Sequence, residues 1–156
     1  MFSSTQEAIA NLRTFVEQGG SIYVSDQAYD LMEQAFPDKL DFYGDDNQRN
    51  AAELGAATNV VMGQVVDLPL AQALGSSSIE LHYPLWAWVI VESVAPDVRV
   101  FIRGPATPIG GSPLPDVPHT VGFAHGEGHV VYTSFHQEPG INQAAEQVLR
   151  LLVFEL

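Results

Sequence analysis

Residues 15–37, FVEQGGSIYVSDQAYDLMEQAFP, decide the fold class of this chain. Apolar residues at helical spacing lead up to the Gly-Gly pair, so a helix is predicted over 6–18. The apolar, β-branched run 21–25 predicts a strand that is buried on both faces. A second helix is predicted over 27–36, ended by Pro37. A helix, a glycine pair, a strand and a helix in this order indicate an α/β protein.

The rest of the chain alternates between short apolar runs and turn-rich connections. The predicted elements are a surface loop over 38–57, strands over 59–66, 78–83, 86–94 and 98–103, a helix over 69–74, a hairpin of 119–124 with 129–135, and a final amphipathic helix. Residues 104–118 hold five of the 10 prolines, which predicts no regular structure there. Trp86 and Trp88 share one face of a strand; such a pair can line a ligand groove, but in a chain with extra strands they are predicted to fill the core.

The composition excludes several classes of protein. Nineteen acidic residues against six Lys and Arg give a net charge of −13, which argues against binding to nucleic acid or to an anionic membrane. The absence of cysteine removes disulfides and thiolate chemistry. The sequence contains no Gly-rich phosphate loop, so no nucleotide cofactor is expected. Without a signal peptide or an apolar span, we expect one soluble cytoplasmic domain over 1–156.

Two places along the chain carry residues suited to chemistry. Ser25 and Asp26 follow the first strand at the start of a helix, where backbone N–H groups favour negative charge; the alternative is that they only cap the helix. His136 and Glu138 follow the second hairpin strand and share one side of it, although a histidine there can also simply close a loop. Strand ends at the carboxyl edge form sites in open α/β sheets. Asp26, His136 and Glu138 are therefore predicted to share one site, either as a His–carboxylate arrangement or as ligands of one metal ion.

Two further groups are weaker candidates. His125 and His129 flank a Gly-Glu-Gly turn and, with Glu127, have the ligand types of a zinc site, but turn histidines are more often solvated. The carboxylates of Asp41, Asp45 and Asp46, with Asn47, offer oxygen ligands suited to calcium or magnesium. Their spacing does not match the EF-hand loop, so a solvated acidic loop is the preferred interpretation.

Two segments resemble the class I glutamine amidotransferase-like superfamily, which includes trehalose-utilisation-type domains. Residues 15–37 are similar to the strand and elbow that carry the nucleophile of that superfamily. In GEGHVVYTSFHQEPG, residues 126–140, the tetrapeptide from Phe135 to Glu138 is similar to the Phe-His-Pro-Glu that supplies the catalytic His and Glu. The resemblance implies a flavodoxin-like, three-layer α/β sandwich, with 38–118 a divergent insertion that forms an antiparallel β extension.

The sequence departs from that superfamily at two points. The elbow cysteine is absent, with Ser25 or Asp26 at the matching place, so glutamine hydrolysis by a thiolate is excluded. The leading βαβ strands expected before the first helix are also missing. The resemblance then implies an exposed sheet edge, and we expect two copies to pair there as a homodimer.

Two functional hypotheses follow from these residues. In the first, the chain is a small ester or phosphoester hydrolase in which Asp26, His136 and Glu138 bind zinc, calcium or magnesium, or act together with Ser25 as nucleophile. In the second, it is a non-catalytic relative whose pocket binds a ligand or a protein. A small-molecule substrate or ligand is expected in the first case.

Overall fold

The computed structural model describes residues 5–44, 51–84, 88–135 and 143–154. Four α-helices and ten strands lie within these ranges. The helices are α1 (Thr5–Glu17), α2 (Tyr29–Ala35), α3 (Leu68–Leu74) and α4 (Gln143–Phe154). The strands are β1 (Ser21–Ser25), β2 (Leu40–Phe42), β3 (Leu54–Gly55), β4 (Thr58–Val65), β5 (Ser78–Tyr83), β6 (Trp88–Val89), β7 (Val91–Val94), β8 (Arg99–Ala106), β9 (Leu114–His125) and β10 (Gly128–Thr133).

Six of the strands form one mixed sheet, in the order β1-β10-β9-β8-β4-β5. β1 and β10 are parallel, and the other four pairings are antiparallel. β2 pairs with β7 and β3 pairs with β6 in two short separate ladders. The chain is therefore a mixed α/β protein, as the sequence predicts.

The sheet separates two hydrophobic clusters, because alternate side chains of a strand point to opposite faces. On β10, Val130 and Tyr132 belong to one cluster and Val131 to the other. Helices α1 and α2 contribute to the cluster of Val130, whereas α3 and α4 contribute to that of Val131. Both faces of the sheet are thus covered by helices, each of which buries one apolar stripe.

Several predicted elements are confirmed, with small shifts at their ends. The helix predicted over 6–18 is α1, the strand over 78–83 is β5, and the predicted hairpin is β9 with β10. The helix predicted over 27–36 begins with a 3-10 turn, Asp26–Ala28, and continues as α2. Trp88 is buried as predicted, at 3% exposure, whereas Trp86 lies outside the described residues.

Three predictions about local structure are wrong. The strand over 21–25 is not buried on both faces, because Ser21 and Tyr23, which lie on the same face of β1, are both exposed. The stretch 38–57 is not only a loop, since it contains β2 and β3. Residues 104–118 are not irregular throughout, since β8 runs to Ala106 and β9 begins at Leu114. The prolines there fit because the β8–β9 pairing shifts register repeatedly.

The region predicted as an insertion, 38–118, contributes directly to the main sheet. Its strands β8, β4 and β5 lie one after another beyond β9, each antiparallel to its neighbour. In the part of the chain that the structure describes, no helix has the length and apolar character needed to cross a membrane.

Candidate functional site

The sharp turn at the end of β1 carries a strained backbone. Asp26 has φ of +53°, and across the described ranges it is the one residue other than glycine with a positive φ. An L-residue in this left-handed region brings its Cβ close to backbone oxygen, although Asp and Asn tolerate it better than most. Such outliers concentrate at functional sites, and a strained strand-to-helix turn is the geometry of a nucleophile elbow.

Ser25, the residue before the turn, does not act as a side-chain cap. It has extended backbone angles, φ −139° and ψ 152°, and its hydroxyl makes no capping hydrogen bond to the turn that follows. Its side chain instead hydrogen-bonds to Tyr23. Ser25 therefore occupies the N-cap position of the 3-10 turn without capping it through its side chain, and its hydroxyl belongs to a polar group at the strand end.

The parallel pairing of β1 and β10 brings the two strand ends side by side. Ser25 lies opposite Thr133 in the register. The Tyr23 hydroxyl is 2.8 Å from Thr133 Oγ1, which donates to the carbonyl oxygen of Phe135 at 2.7 Å. On the other face, Tyr132 Oη donates to the carbonyl oxygen of Asp26 at 3.3 Å. The elbow is thus fixed to the last residues of β10 by side-chain hydrogen bonds.

His136 and Glu138, the predicted partners of Asp26, lie outside the described residues. Phe135, directly before them in sequence, is at the strand end that faces the elbow. The structure therefore brings together Ser25, Asp26 and the end of β10. The shared site of Asp26 with His136 and Glu138 stays a prediction.

The negative charge of Asp26 affects three tyrosines. Burial raises the pKa values of Tyr23, Tyr83 and Tyr132, and the negative charge of the Asp26 carboxylate raises each of them further. Because each shift is upward from an ordinary value near 10, all three phenols are neutral hydrogen-bond donors at physiological pH. The phenols that feel the charge of Asp26 are therefore uncharged themselves.

A buried polar network lies behind the elbow. The Tyr83 hydroxyl bonds to Ser134 Oγ at 2.7 Å and to His119 Nδ1 at 2.5 Å, and His119 Nδ1 is 3.1 Å from Ser134 Oγ. All three side chains are almost completely buried. The His119 ring also stacks at a tilt on Trp88, with ring centroids 6.0 Å apart.

The protonation of His119 follows from its surroundings. Burial lowers its pKa to about 4, so the imidazole is neutral near pH 7. Nε2 lies 3.2 Å from the carbonyl oxygen of Pro105, which can only accept, so Nε2 carries the proton and donates. Nδ1 then accepts from the Tyr83 hydroxyl. Sequence reasoning missed this network; the available signal was a histidine within the apolar run of β9.

Those weaker candidates that the structure describes are not grouped around a common point. His125 pairs with Gly128 across the hairpin and packs edge-on against Phe36, with ring centroids 5.0 Å apart. His129 lies opposite Ala124 instead. Asp41 accepts a hydrogen bond from Ser93 at 3.0 Å, and Asp45, Asp46 and Asn47 lie outside the described residues. Within the described ranges, no three His, Asp or Glu side chains are grouped to hold a metal ion.

Comparison with known proteins gives a fold but no family. No protein-family model matches the chain, and no curated protein matches it. Among solved structures, it is similar to a catalytic mutant of Gan42B, a GH42 beta-galactosidase from G. stearothermophilus, with a TM-score of 0.54 and 14% identity over 94% of this chain and 19% of that one. It is also similar to a cytoplasmic protein from Salmonella typhimurium, with a TM-score of 0.54 and 12% identity over 91% of this chain and 54% of the other.

A third similar structure is the beta-galactosidase from Rahnella sp. R3, with a TM-score of 0.51 and 12% identity over 93% of this chain and 20% of that one. The chain spans about a fifth of the length of the galactosidases and about half that of the Salmonella protein. At these identities the similarity establishes a shared fold only.

Proposed function

We propose that this chain is a small hydrolase whose active site is centred on Asp26, at the elbow between β1 and the following 3-10 turn. The observation that carries the proposal is the positive φ of Asp26. A strained residue of this kind persists where the surrounding structure holds it in place, and the hydrogen bonds from β10 supply that support here. We infer that this turn holds the Asp26 carboxylate, whose Oδ1 is buried, at the carboxyl edge of the parallel β1–β10 pair.

The proposed substrate is a small ester or phosphoester. Asp26, with His136 and Glu138, would activate water, either directly or as ligands of a divalent metal ion. Zinc, calcium and magnesium are the candidate ions. Among the described residues, Asp26 is the one member of this ligand set, so we derive no step through a metal. Ser25 is the alternative nucleophile, and its hydrogen bond to Tyr23 keeps its hydroxyl at the same edge.

The proposal extends to the fold and the assembly. Helices on both faces of the sheet and the elbow support a flavodoxin-like, three-layer, amidotransferase-like domain. β1 ends the described sheet without a protective Lys or Pro, and Tyr23 within it is 38% exposed. We therefore also propose a homodimer that pairs along this edge. A cytoplasmic location is proposed with it, and the similar Salmonella protein is described as cytoplasmic.

The decisive experiment compares Asp26→Asn with the parent protein. Asn keeps the size of the side chain and tolerates a positive φ, so the fold is retained while the charge is lost. Purified protein would be tested for bound metal and for turnover of p-nitrophenyl acetate and bis-p-nitrophenyl phosphate, with and without chelator. We expect at least a hundredfold loss of turnover in Asp26→Asn and no change in Asp38→Asn, which alters an exposed carboxylate. Equal activity in all three proteins would contradict the proposal.

One observation favours the second candidate, a non-catalytic binding domain. Tyr83, His119 and Ser134 are sealed from solvent and bonded to one another, so these potentially reactive groups serve packing. A protein with no turnover of either substrate and no bound metal, in which Asp26→Asn changes nothing, would support this alternative.

A further inference from the structure

Strands β4 and β8 are neighbours in the sheet, but they pair at one end only, and the two chain segments meet again just beyond the other end. At one end, Gln64 pairs with Arg103 and Val65 with Ile102. At the other, the Ala56 backbone N–H donates to the carbonyl oxygen of Thr107 at 2.7 Å. Between these two points the structure shows no register pairing of the two segments. The strands therefore enclose an opening within the sheet.

The opening follows from a difference in chain length. Between the two points of contact, one segment contains residues 57–63, which is seven residues, and the other contains 104–106, which is three. An extended residue spans about 3.3 Å, so the longer segment has to bow away from the shorter one. The pairing of β4 with β5 also shifts register between Thr58 and Val61, as expected of a bulged strand.

The space between the segments is a cavity of about 560 Å³, which we call the β4–β8 slot. Val60 and Met62 line it from β4, Pro105 and Ala106 line it from β8, and Trp88 also contributes to the lining. Val60 is 42% and Met62 is 52% exposed, which is unusual for such apolar side chains. The slot therefore presents apolar surface to solvent within an otherwise acidic protein.

The walls of the slot are held in place by the rest of the fold. Trp88 Nε1 donates to the carbonyl oxygen of Ala56 at 3.1 Å, and the Trp88 ring packs on Tyr83 with centroids 4.1 Å apart. The Pro105 carbonyl accepts from His119 Nε2 at 3.2 Å. A site whose walls are already ordered loses little conformational entropy when a ligand binds.

The charge of the slot restricts what it can hold. Among its lining residues that the structure describes, none carries a charge, although the whole chain has a net charge of −13. An anion would be repelled by the protein and would find no partner in the slot, and any buried charge would be costly there. Because no described lining residue could pair with a charged ligand of either sign, the slot favours an uncharged one.

We propose that the β4–β8 slot binds a neutral, largely apolar small molecule. The cavity volume lies within the range of about 300–1,000 Å³ found for small-molecule sites. Because strand contacts close both ends, an extended peptide does not fit through the slot. This binding site is separate from the Asp26 elbow and does not depend on the proposed hydrolase.

The test uses 2-naphthol, which is neutral at pH 7, and 2-naphthalenesulfonate, its anionic counterpart. Saturation-transfer NMR and titration calorimetry would measure binding of each to the purified protein. We expect 2-naphthol to bind at least tenfold more tightly than the sulfonate. Val60→Asp places a charge in the slot and should weaken 2-naphthol binding at least tenfold, whereas Leu68→Asp, at an exposed apolar residue outside the lining, should leave it unchanged.

A second variant separates the loss of the site from a loss of folding. Ala57→Phe fills the slot from an exposed position without adding charge, and it should also abolish binding while the melting curve stays cooperative. Equal binding of 2-naphthol to the parent protein, Val60→Asp and Ala57→Phe would overturn the proposal. The absence of binding to the parent protein at about 1 mM 2-naphthol, the range of weak-ligand affinities, would also overturn it. A change in oligomeric mass in the slot variants, without any probe binding, would show that a second copy occupies the slot and would equally refute it.

Discussion

The strain at Asp26 can be measured with two substitutions that both remove its carboxylate. In Asp26→Ala the Cβ remains, and at φ +53° it costs about 1–2 kcal/mol. In Asp26→Gly this cost is absent, but glycine makes the unfolded chain more flexible, which destabilises the folded state by about 0.5–1 kcal/mol. The glycine variant should therefore be more stable than the alanine variant by about 1 kcal/mol, or about 2–4 °C in melting temperature for a chain of this size.

The matched control is Asn11, an exposed residue in the middle of helix α1. There the order should reverse, with Asn11→Ala more stable than Asn11→Gly by about 1 kcal/mol, because glycine is the poorer helix former. Urea unfolding of the four variants, with a shared slope, gives both differences. If alanine were the more stable choice at Asp26 as well, the left-handed conformation of the elbow, and the argument built on it, would be refuted.

Three other properties follow from the buried network and the sheet edge. Tyr83→Phe removes the hydroxyl shared by His119 and Ser134, but those two side chains still lie 3.1 Å apart. Urea unfolding should therefore show that the free energy of unfolding falls by about 2 kcal/mol, against less than about 1 kcal/mol for the partly exposed Tyr23→Phe. Equal losses in the two variants would argue against the network. The pKa of His119 is about 4 in the folded protein and about 6.5 in the unfolded chain, so the unfolded state binds more protons between these two pH values. The free energy of unfolding should therefore fall by about 3 kcal/mol as the pH drops from 7 to below 4. His119→Gln should not show this fall. If the urea midpoint changed equally between pH 7 and pH 4.5 in the parent protein and in His119→Gln, the prediction would be contradicted. Light scattering at micromolar concentration should give twice the chain mass, and Tyr23→Lys at the β1 edge should return the monomer; a parent protein that is already monomeric would rule out the homodimer.

Local signals made part of the fold predictable. The Gly-Gly pair and Pro37 mark the ends of α1 and α2 closely, because glycine ends helices and proline cannot continue them. The same rule failed for β9, where Pro115 and Pro118 lie inside a strand. A proline is tolerated in a strand where the neighbouring strand needs no N–H from that residue. Those positions depend on the register with the partner strand, which the local sequence does not show.

The elbow was predictable in position but not in detail. The change from strand to helix at Ser25 and Asp26 is visible in the sequence, whereas the sign of φ at Asp26 arises from how β10 and the turn are joined. Tyr83, His119 and Ser134 are far apart in sequence. Only the folded sheet brings them together, for example through the bond from the Ser134 backbone N–H to the carbonyl oxygen of His119 at 3.0 Å.

The parallel pairing of β1 with β10 also sets the order in which the chain can fold during synthesis. Val24 pairs with Tyr132, which is made much later. At about 5–20 residues per second, the ribosome supplies that partner roughly 5–20 s after β1 has been made. Until then, the apolar residues of α1 and β1 have no sheet to cover them, and a chaperone or a neighbouring nascent chain would meet this segment first.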